Sequence, residues 1–203
     1  MAADAARRGA TYEHLRAAPE SSIAQIIAGE LVVQTRPDGP HAHAASGLGI
    51  DIGGPFDRGR GGPGGWLIVY EPELHLGDDV LVPDLAGWRR DRAPDLTGTH
   101  VTLAPDWVCE VLSPRTARHD RGPNADSYAR QGAAYLWFVD PDAHLIEAFA
   151  LVDGRWSRLG AWLGDAAART NRPSSSEDAA AEERGTTGRP AWPSGRACTS
   201  RVS

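Results

Sequence analysis

Short apolar runs alternate along this chain with breaks rich in polar residues, glycine and proline, and most of the runs have strand length rather than helix length. The stretch IIAGELVVQ at 26–34 sets two apolar segments around Ala28-Gly29, which predicts a hairpin. WLIVY at 66–70 is a strand. Extended character resumes at Leu74-His75-Leu76, turns at Gly77-Asp78-Asp79 and returns over 80–85, with a bend near Pro83. WVCEVL at 107–112 and AYLWFV at 134–139 are further strands, and 145–151 with 156–163 form a closing hairpin through Asp153-Gly154. Helices are predicted at 11–19, started by Thr11 and ended by Pro19, and at 123–131, with Pro123 in the first turn and Gly132 past the end. Residues 41–56 have apolar positions at helical spacing, but each of Gly47, Gly49, Gly53 and Gly54 costs about 1 kcal/mol relative to Ala in a helix interior, so a weak or broken helix is expected. The glycine-rich loop at 57–65 reads as a hairpin connection. This succession predicts an α/β (α+β) domain with a mixed β-sheet flanked by helices.

The length of 203 residues fits one domain with a tail. The pattern stops near residue 168: RTNRPSSSEDAAAEERGTTGRPAWPSGRACTSRVS has almost no aliphatic side chains and no period. The predicted organisation is therefore a domain over 1–168 and a disordered or frame-altered tail over 169–203. No run approaches the roughly 18 apolar residues of a membrane span, so no membrane association is expected, and the cytoplasm is the expected compartment. Cys109 and Cys198 lie in unlike surroundings and suggest no disulfide; Cys109 reads as a buried thiol. The formal charge is −6, and every one of the 21 basic residues is arginine. The lack of lysine excludes a P-loop phosphate clamp, a side-chain Schiff base and any catalytic lysine.

The acidic positions change the picture most. Glu71, Asp84 and Glu110 each lie within or beside an apolar extended run, where a carboxylate is costly to bury unless it is paired, hydrogen-bonded or bound to a cation. For any one of them, a solvent-facing strand edge is the alternative. On neighbouring strands the three would converge at one end of the sheet, an oxygen set that suits a hard divalent cation.

Several stretches carry a resemblance: EPELHL at 71–76, VPDLAGWRR at 82–90, PDWVCEVLSP at 105–114, TARHDRG at 116–122 and YARQGAAYLWFVDP at 128–141. In order and spacing they resemble the Uma2 family, also called DUF820, which is similar to the PD-(D/E)xK nucleases with a restriction-endonuclease-like core. The resemblance implies a metal-dependent endonuclease hydrolysing DNA, with Mg²⁺ or Mn²⁺ as cofactor, DNA as partner and a homodimer as a further expectation. It implies that Asp84 and Glu110 bind the ion, that the carbonyl of Val111 adds a ligand, and that Glu71 is an additional acid. Members of the family commonly carry a lysine just after the Asp-Arg-Gly element; here Asp120-Arg121-Gly122-Pro123 leads to Asn124, which supplies a hydrogen bond but no charge. The alternative is a catalytically inactive nucleic-acid-binding or protein-interaction module on the same fold.

Other residues divide between readings. His41 and His43 would contact phosphate or water near the site, or stand as a solvent-exposed pair. His75 reads as surface, outward between Leu74 and Leu76. The cluster Arg89-Arg90-Asp91-Arg92 would meet a phosphate backbone or form a solvated loop. Trp66, Trp88, Trp107 and Trp137 read as sheet packing. Tyr128 would pack its helix on the sheet and support the face that carries Asn124.

Overall fold

The computed structural model describes residues 9–35 and 39–164; the expected tail, with Trp192 and Cys198, lies outside the described residues. The first hairpin pairs β1 (Ser22–Ile27) with β2 (Glu30–Thr35) across Ala28 and Gly29. Both turn residues have positive φ, 51° and 76°, which gives the two-residue turn whose twist matches that of its strands. A short helix, α1 (Tyr12–Arg16), precedes it.

Two sheets follow from the remaining strands. The large one has the order β10-β9-β8-β7-β6-β3, built from β3 (Trp66–Tyr70), β6 (Leu85–Arg89), β7 (Trp107–Val111), β8 (Tyr135–Asp140), β9 (Leu145–Val152) and β10 (Arg155–Leu163). Only β7 and β8 run parallel, so the sheet is mixed. The small sheet has the order β2-β1-β5-β4, with β4 (Leu74–Leu76) and β5 (Asp79–Leu81). The expected return strand at 80–85 is thus two strands in different sheets. Pro83 lies between them and has no N–H to continue a ladder.

Residues on β7 alternate between two cores. Trp107, Cys109 and Val111 face α2 (Gly39–Ile52), which contributes Ala44, Ala45, Leu48 and Ile52 and continues into a π-helical turn at Gly53–Asp57 carrying Phe56. Val108 and Leu112 face the opposite core, which holds Ala125 and Tyr128 together with Leu74, Leu76 and Leu81 of the small sheet. The expected breakage of α2 is not seen. Its interior glycines, Gly47 and Gly49, cost about 2 kcal/mol together, whereas burying Leu48, Ile52 and Phe56 returns about 1.5–3 kcal/mol each. The loop at 57–65 joins this helix to β3 and is not a hairpin connection. The four tryptophans named above are all buried, as expected.

The helix expected at 123–131 begins six residues earlier. This element, α3, opens as Ala117–His119, widens into a π-helical turn at Asp120–Asn124 and continues as Ala125–Arg130. Pro123 therefore lies inside the helix, not in its first turn. The wide turn lets the Ala125 N–H reach the Asp120 carbonyl, and so absorbs a residue that cannot donate. Among the described residues no helix is long and apolar enough to cross a membrane.

Candidate metal centre

Pairing of Leu85 with Cys109 across β6 and β7 sets Asp84 beside Glu110 at the end of the central strands. The two are tied through the backbone. The Val111 N–H donates to Asp84 Oδ2 at 2.7 Å, and the Asp84 N–H lies 3.4 Å from Glu110 Oε2. Glu110 projects toward α3, because alternation gives Cys109 and Val111 to the other face. There its Oε1 accepts the Tyr128 hydroxyl at 2.7 Å, with Asn124 Nδ2 at 3.4 Å. The same Asn124 amide is 3.1 Å from Asp120 Oδ1. From α2, His41 Nε2 comes to 3.4 Å from Asp84 Oδ1. His41 also hydrogen-bonds the Val111 backbone, so this strand end and the imidazole face one another.

A cleft of about 390 Å³ opens over this group. Gln25 and Gln34 of the β1–β2 hairpin form one wall; Asp84, Glu110, Asp120 and His41 lie at the other, with Arg115 and His119 along the lining. Sequence reasoning singled out Asp84, Glu110, Val111 and Asn124, and the structure brings them together. Glu71 it does not bring to the cleft lining. That residue sits at φ 43°, gives its backbone N–H to the Asp84 carbonyl at 3.0 Å, and helps to raise the pKa of the partly buried Tyr70, after burial itself. Asp120 was missed. It lies four residues before Asn124 on one helical face, a spacing hidden when Pro123 is read as the helix start.

The electrostatics are those of crowded anions. Glu110 and Asp120 are each only 4% exposed. Burial, then the charges of Asp120 and Asp84, holds the Glu110 carboxyl well above the usual range. Burial, opposed by a hydrogen bond from Thr116 and reinforced by the charge of Asp84, pushes Asp120 up to about 7. Burial pulls the His41 imidazole down, but the hydrogen bond and charge of Asp84 outweigh it and the pKa is raised. Among the described residues, His41 is the one group within ion-pair distance of any of the three carboxylates. Arg121 instead pairs with Glu147 and lies over the Phe138 ring, and Arg130 pairs with Asp79. Earlier in the chain, Arg90 pairs with Asp57 and Arg92 with Asp106, so two of the three arginines of the Arg89–Arg92 cluster are engaged within the fold. The donor set at the cleft fits a hard dication: several carboxylate oxygens and a strand-end backbone, with the Asn124 amide nitrogen turned toward Glu110 and Asp120.

A second group of possible ligands lies elsewhere. Glu73, His75 and His100 place ligand atoms within 4.8 Å of one another and could hold a metal ion. His75 is half-buried, not the simple surface residue expected. Its ring does point away from the core that takes Leu74 and Leu76, but Tyr12 and His100 cover it.

Comparison with known proteins bears on both fold and family. No curated protein matches the chain. A crystal structure described as "a putative nuclease belonging to DUF820 from Anabaena variabilis ATCC 29413" matches with a TM-score of 0.61 at 21% identity, covering 73% of this chain and 83% of that one. This likeness is one of fold, and it agrees with a restriction-endonuclease-like core. The family model "Uma2: Putative restriction endonuclease" matches residues 10–177, which include every strand among the described residues, both sides of the cleft and the Asp84–Glu110–Asp120 group. The chain belongs to the Uma2 family.

Proposed function

We propose that this protein is a divalent-metal-dependent endonuclease that hydrolyses DNA phosphodiester bonds at the cleft over Asp84, Glu110 and Asp120. The observation that carries the reading is the charge imbalance. Two buried carboxylates and a half-buried third share one cleft, and one imidazole is the ion-pair partner of the group. A hard dication offsets that imbalance. Asp84 and Glu110 would hold Mg²⁺ or Mn²⁺, with the Val111 carbonyl and Asp120 as further oxygen ligands. Such an ion, when bound, polarises a phosphoryl oxygen and lowers the pKa of water.

The chain's own residues do the positioning. Tyr128 and Asn124 donate to Glu110 and fix its carboxylate, and the Val111 N–H fixes Asp84. His41, beside Asp84, can donate to a phosphate oxygen or hold a proton there. Arg115 and His119, along the lining, meet the charged backbone of DNA. Glu71 in this reading acts through its backbone bond to Asp84 and shapes that strand end, not as a ligand.

One observation favours the second reading, a catalytically inactive binding module on the same fold. No lysine reaches the acids, Asn124 brings no charge, and Arg121 and Arg130 are turned to Glu147 and Asp79. Nicking of supercoiled plasmid in Mg²⁺ or Mn²⁺, compared with Asp84→Ala, separates the two. Activity that depends on the ion and is lost in Asp84→Ala supports the endonuclease. Wild-type protein that nicks with neither ion, but binds Mn²⁺ in calorimetry and loses that binding in Glu110→Ala, supports the binding module.

A further inference from the structure

We propose that Glu73, His75 and His100 form a second metal site, separate from the carboxylate cleft and selective for a borderline transition-metal ion of the Zn²⁺ class. Two imidazoles and one carboxylate differ in kind from the all-oxygen set of the cleft. Imidazole nitrogen suits Zn²⁺, Ni²⁺ and Cu²⁺ and is a poor ligand for Mg²⁺. Location separates the two sites as well. β4 is the edge strand of the small sheet, and the β1–β2 hairpin that walls the cleft lies at the sheet's other side.

The group is built by the fold rather than gathered on a loose surface. Glu73 and His75 flank Leu74, which forms a bridge with Val101. The His75 N–H donates to the Val101 carbonyl at 2.8 Å, and the Val101 N–H donates to the Glu73 carbonyl at 2.9 Å. These two bonds pin His100 against β4. The His75 and His100 rings stack, with centroids 3.9 Å apart and planes at 19°. Glu73 Oε1 is 2.7 Å from His75 Nε2 and also accepts the Tyr12 hydroxyl at 2.9 Å. Tyr12 sets its ring edge against His75, with centroids 4.9 Å apart. An outer hydrogen bond of this sort to a carboxylate ligand is what orients a ligand before metal arrives.

The ligand atoms lie within 4.8 Å of one another. Zn–N bonds of about 2.0–2.1 Å require them to close by roughly 1 Å, and because stacked imidazoles aim their lone pairs along near-parallel planes, the solvent-exposed His100 must swing out of the stack to share an ion with His75. In the bound state the ion takes the place of the proton shared between His75 and Glu73, and that proton leaves to solvent. Three protein ligands leave one position of a tetrahedron to water. The ion would cross-link β4 and the irregular 93–106 connection, which two backbone hydrogen bonds already join at this point, and α1 would reach it only through the Tyr12 hydroxyl on Glu73.

Calorimetric titration of the full chain with Zn²⁺, in the presence and absence of excess Mg²⁺, tests the site. The wild type is expected to take up Zn²⁺ at this site with an affinity that Mg²⁺ leaves unchanged. His100→Gln and His75→Gln should each weaken that event at least about tenfold, Tyr12→Phe should weaken it less, and Asp84→Asn should leave it intact. His100 is exposed, so its substitution preserves the fold, and unchanged circular dichroism checks this. Failure of the wild type to bind Zn²⁺, or binding that Asp84→Asn removes and His100→Gln does not, would overturn the proposal. Because Asp84→Asn disables the cleft alone, the outcome is independent of whether the protein cuts DNA.

Discussion

Asp79 and Glu110 are both buried carboxylates on strand ends that face α3, yet their surroundings are opposite. Asp79 accepts the Ala28 N–H at 2.7 Å and the Ser127 hydroxyl, and pairs with Arg130 at 2.9 Å. It joins the β1–β2 turn, the small sheet and α3, and its charge has a cation within the fold. Glu110 receives a tyrosine hydroxyl and an asparagine amide, while its charged neighbours are two more carboxylates. One acid is compensated by the protein; the other awaits compensation from outside. Burial alone does not mark a functional carboxylate, whereas burial among like charges does.

The sharpest way to break the comparison is to remove each acid in turn. Asp79→Ala leaves the Ala28 N–H and the Ser127 hydroxyl without their acceptor and Arg130 without its partner. Loss of about 1–3 kcal/mol of unfolding free energy in urea is expected, because the buried Ser127 hydroxyl loses its acceptor while the half-exposed Arg130 turns to water, with metal affinity at the cleft unchanged in the folded fraction. Glu110→Gln should behave in the reverse way. The amide keeps an oxygen for Tyr128 and removes one of three crowded charges, so apo stability at pH 8 should not fall. Metal-dependent nicking should drop by about 10²–10³-fold. If Glu110→Gln were as destabilising as Asp79→Ala, the distinction between the two acids would collapse.

Titration sharpens the comparison next. The folded-state pKa of Asp120 is raised from 3.8 to about 7, so the native state binds the extra proton. Stability is greatest at low pH within this window and falls as pH rises, which costs the apo-protein roughly 2 kcal/mol between about pH 5 and about pH 7 from Asp120 alone. His41 has the same sign, because a raised imidazole pKa contributes stability that is lost as pH rises through it. Thermal unfolding of chelator-treated protein should therefore shift downward over that range, and Mn²⁺ should reverse the shift. In Asp120→Asn the pH dependence should flatten; an unchanged profile would count against the crowded-anion account.

Much of this arrangement was legible in the sequence, and the misses share a cause. Apolar runs bounded by Pro and Gly gave the strands that carry Glu110 and follow Asp84, and acids within such runs are conspicuous because burial makes them expensive. Asp120 was not conspicuous: it lies in a polar stretch, and Pro123 reads as a helix start when the chain in fact passes it inside a π-helical turn. The partnership of Glu73, His75 and His100 depends on a bridge between Leu74 and Val101, a pairing no local pattern announces. Partition of β5 and β6 into different sheets is likewise set by long-range packing, with Ile26 against Val80 and Leu85 against Cys109.

The smallest expected effect concerns Asn124. Its amide nitrogen lies between Glu110 Oε1 and Asp120 Oδ1, at 3.4 and 3.1 Å, in the place where the family resemblance implies a lysine. In Asn124→Lys an ammonium would enter the crowded acids from the helix side, the side opposite the hairpin wall. It would offset part of the repulsion in the apo-protein and, with a metal bound, add positive charge beside the developing charge of a phosphoryl transition state. Nicking at saturating Mn²⁺ is expected to rise about tenfold, or roughly 1.4 kcal/mol, while the pH dependence of apo stability weakens. A rate increase with Asp84 intact and none in the Asp84→Ala background would tie the gain to the same centre. Weaker Mn²⁺ binding without a gain in rate would show instead that the ammonium competes for the oxygens, and that the asparagine keeps them available for the ion.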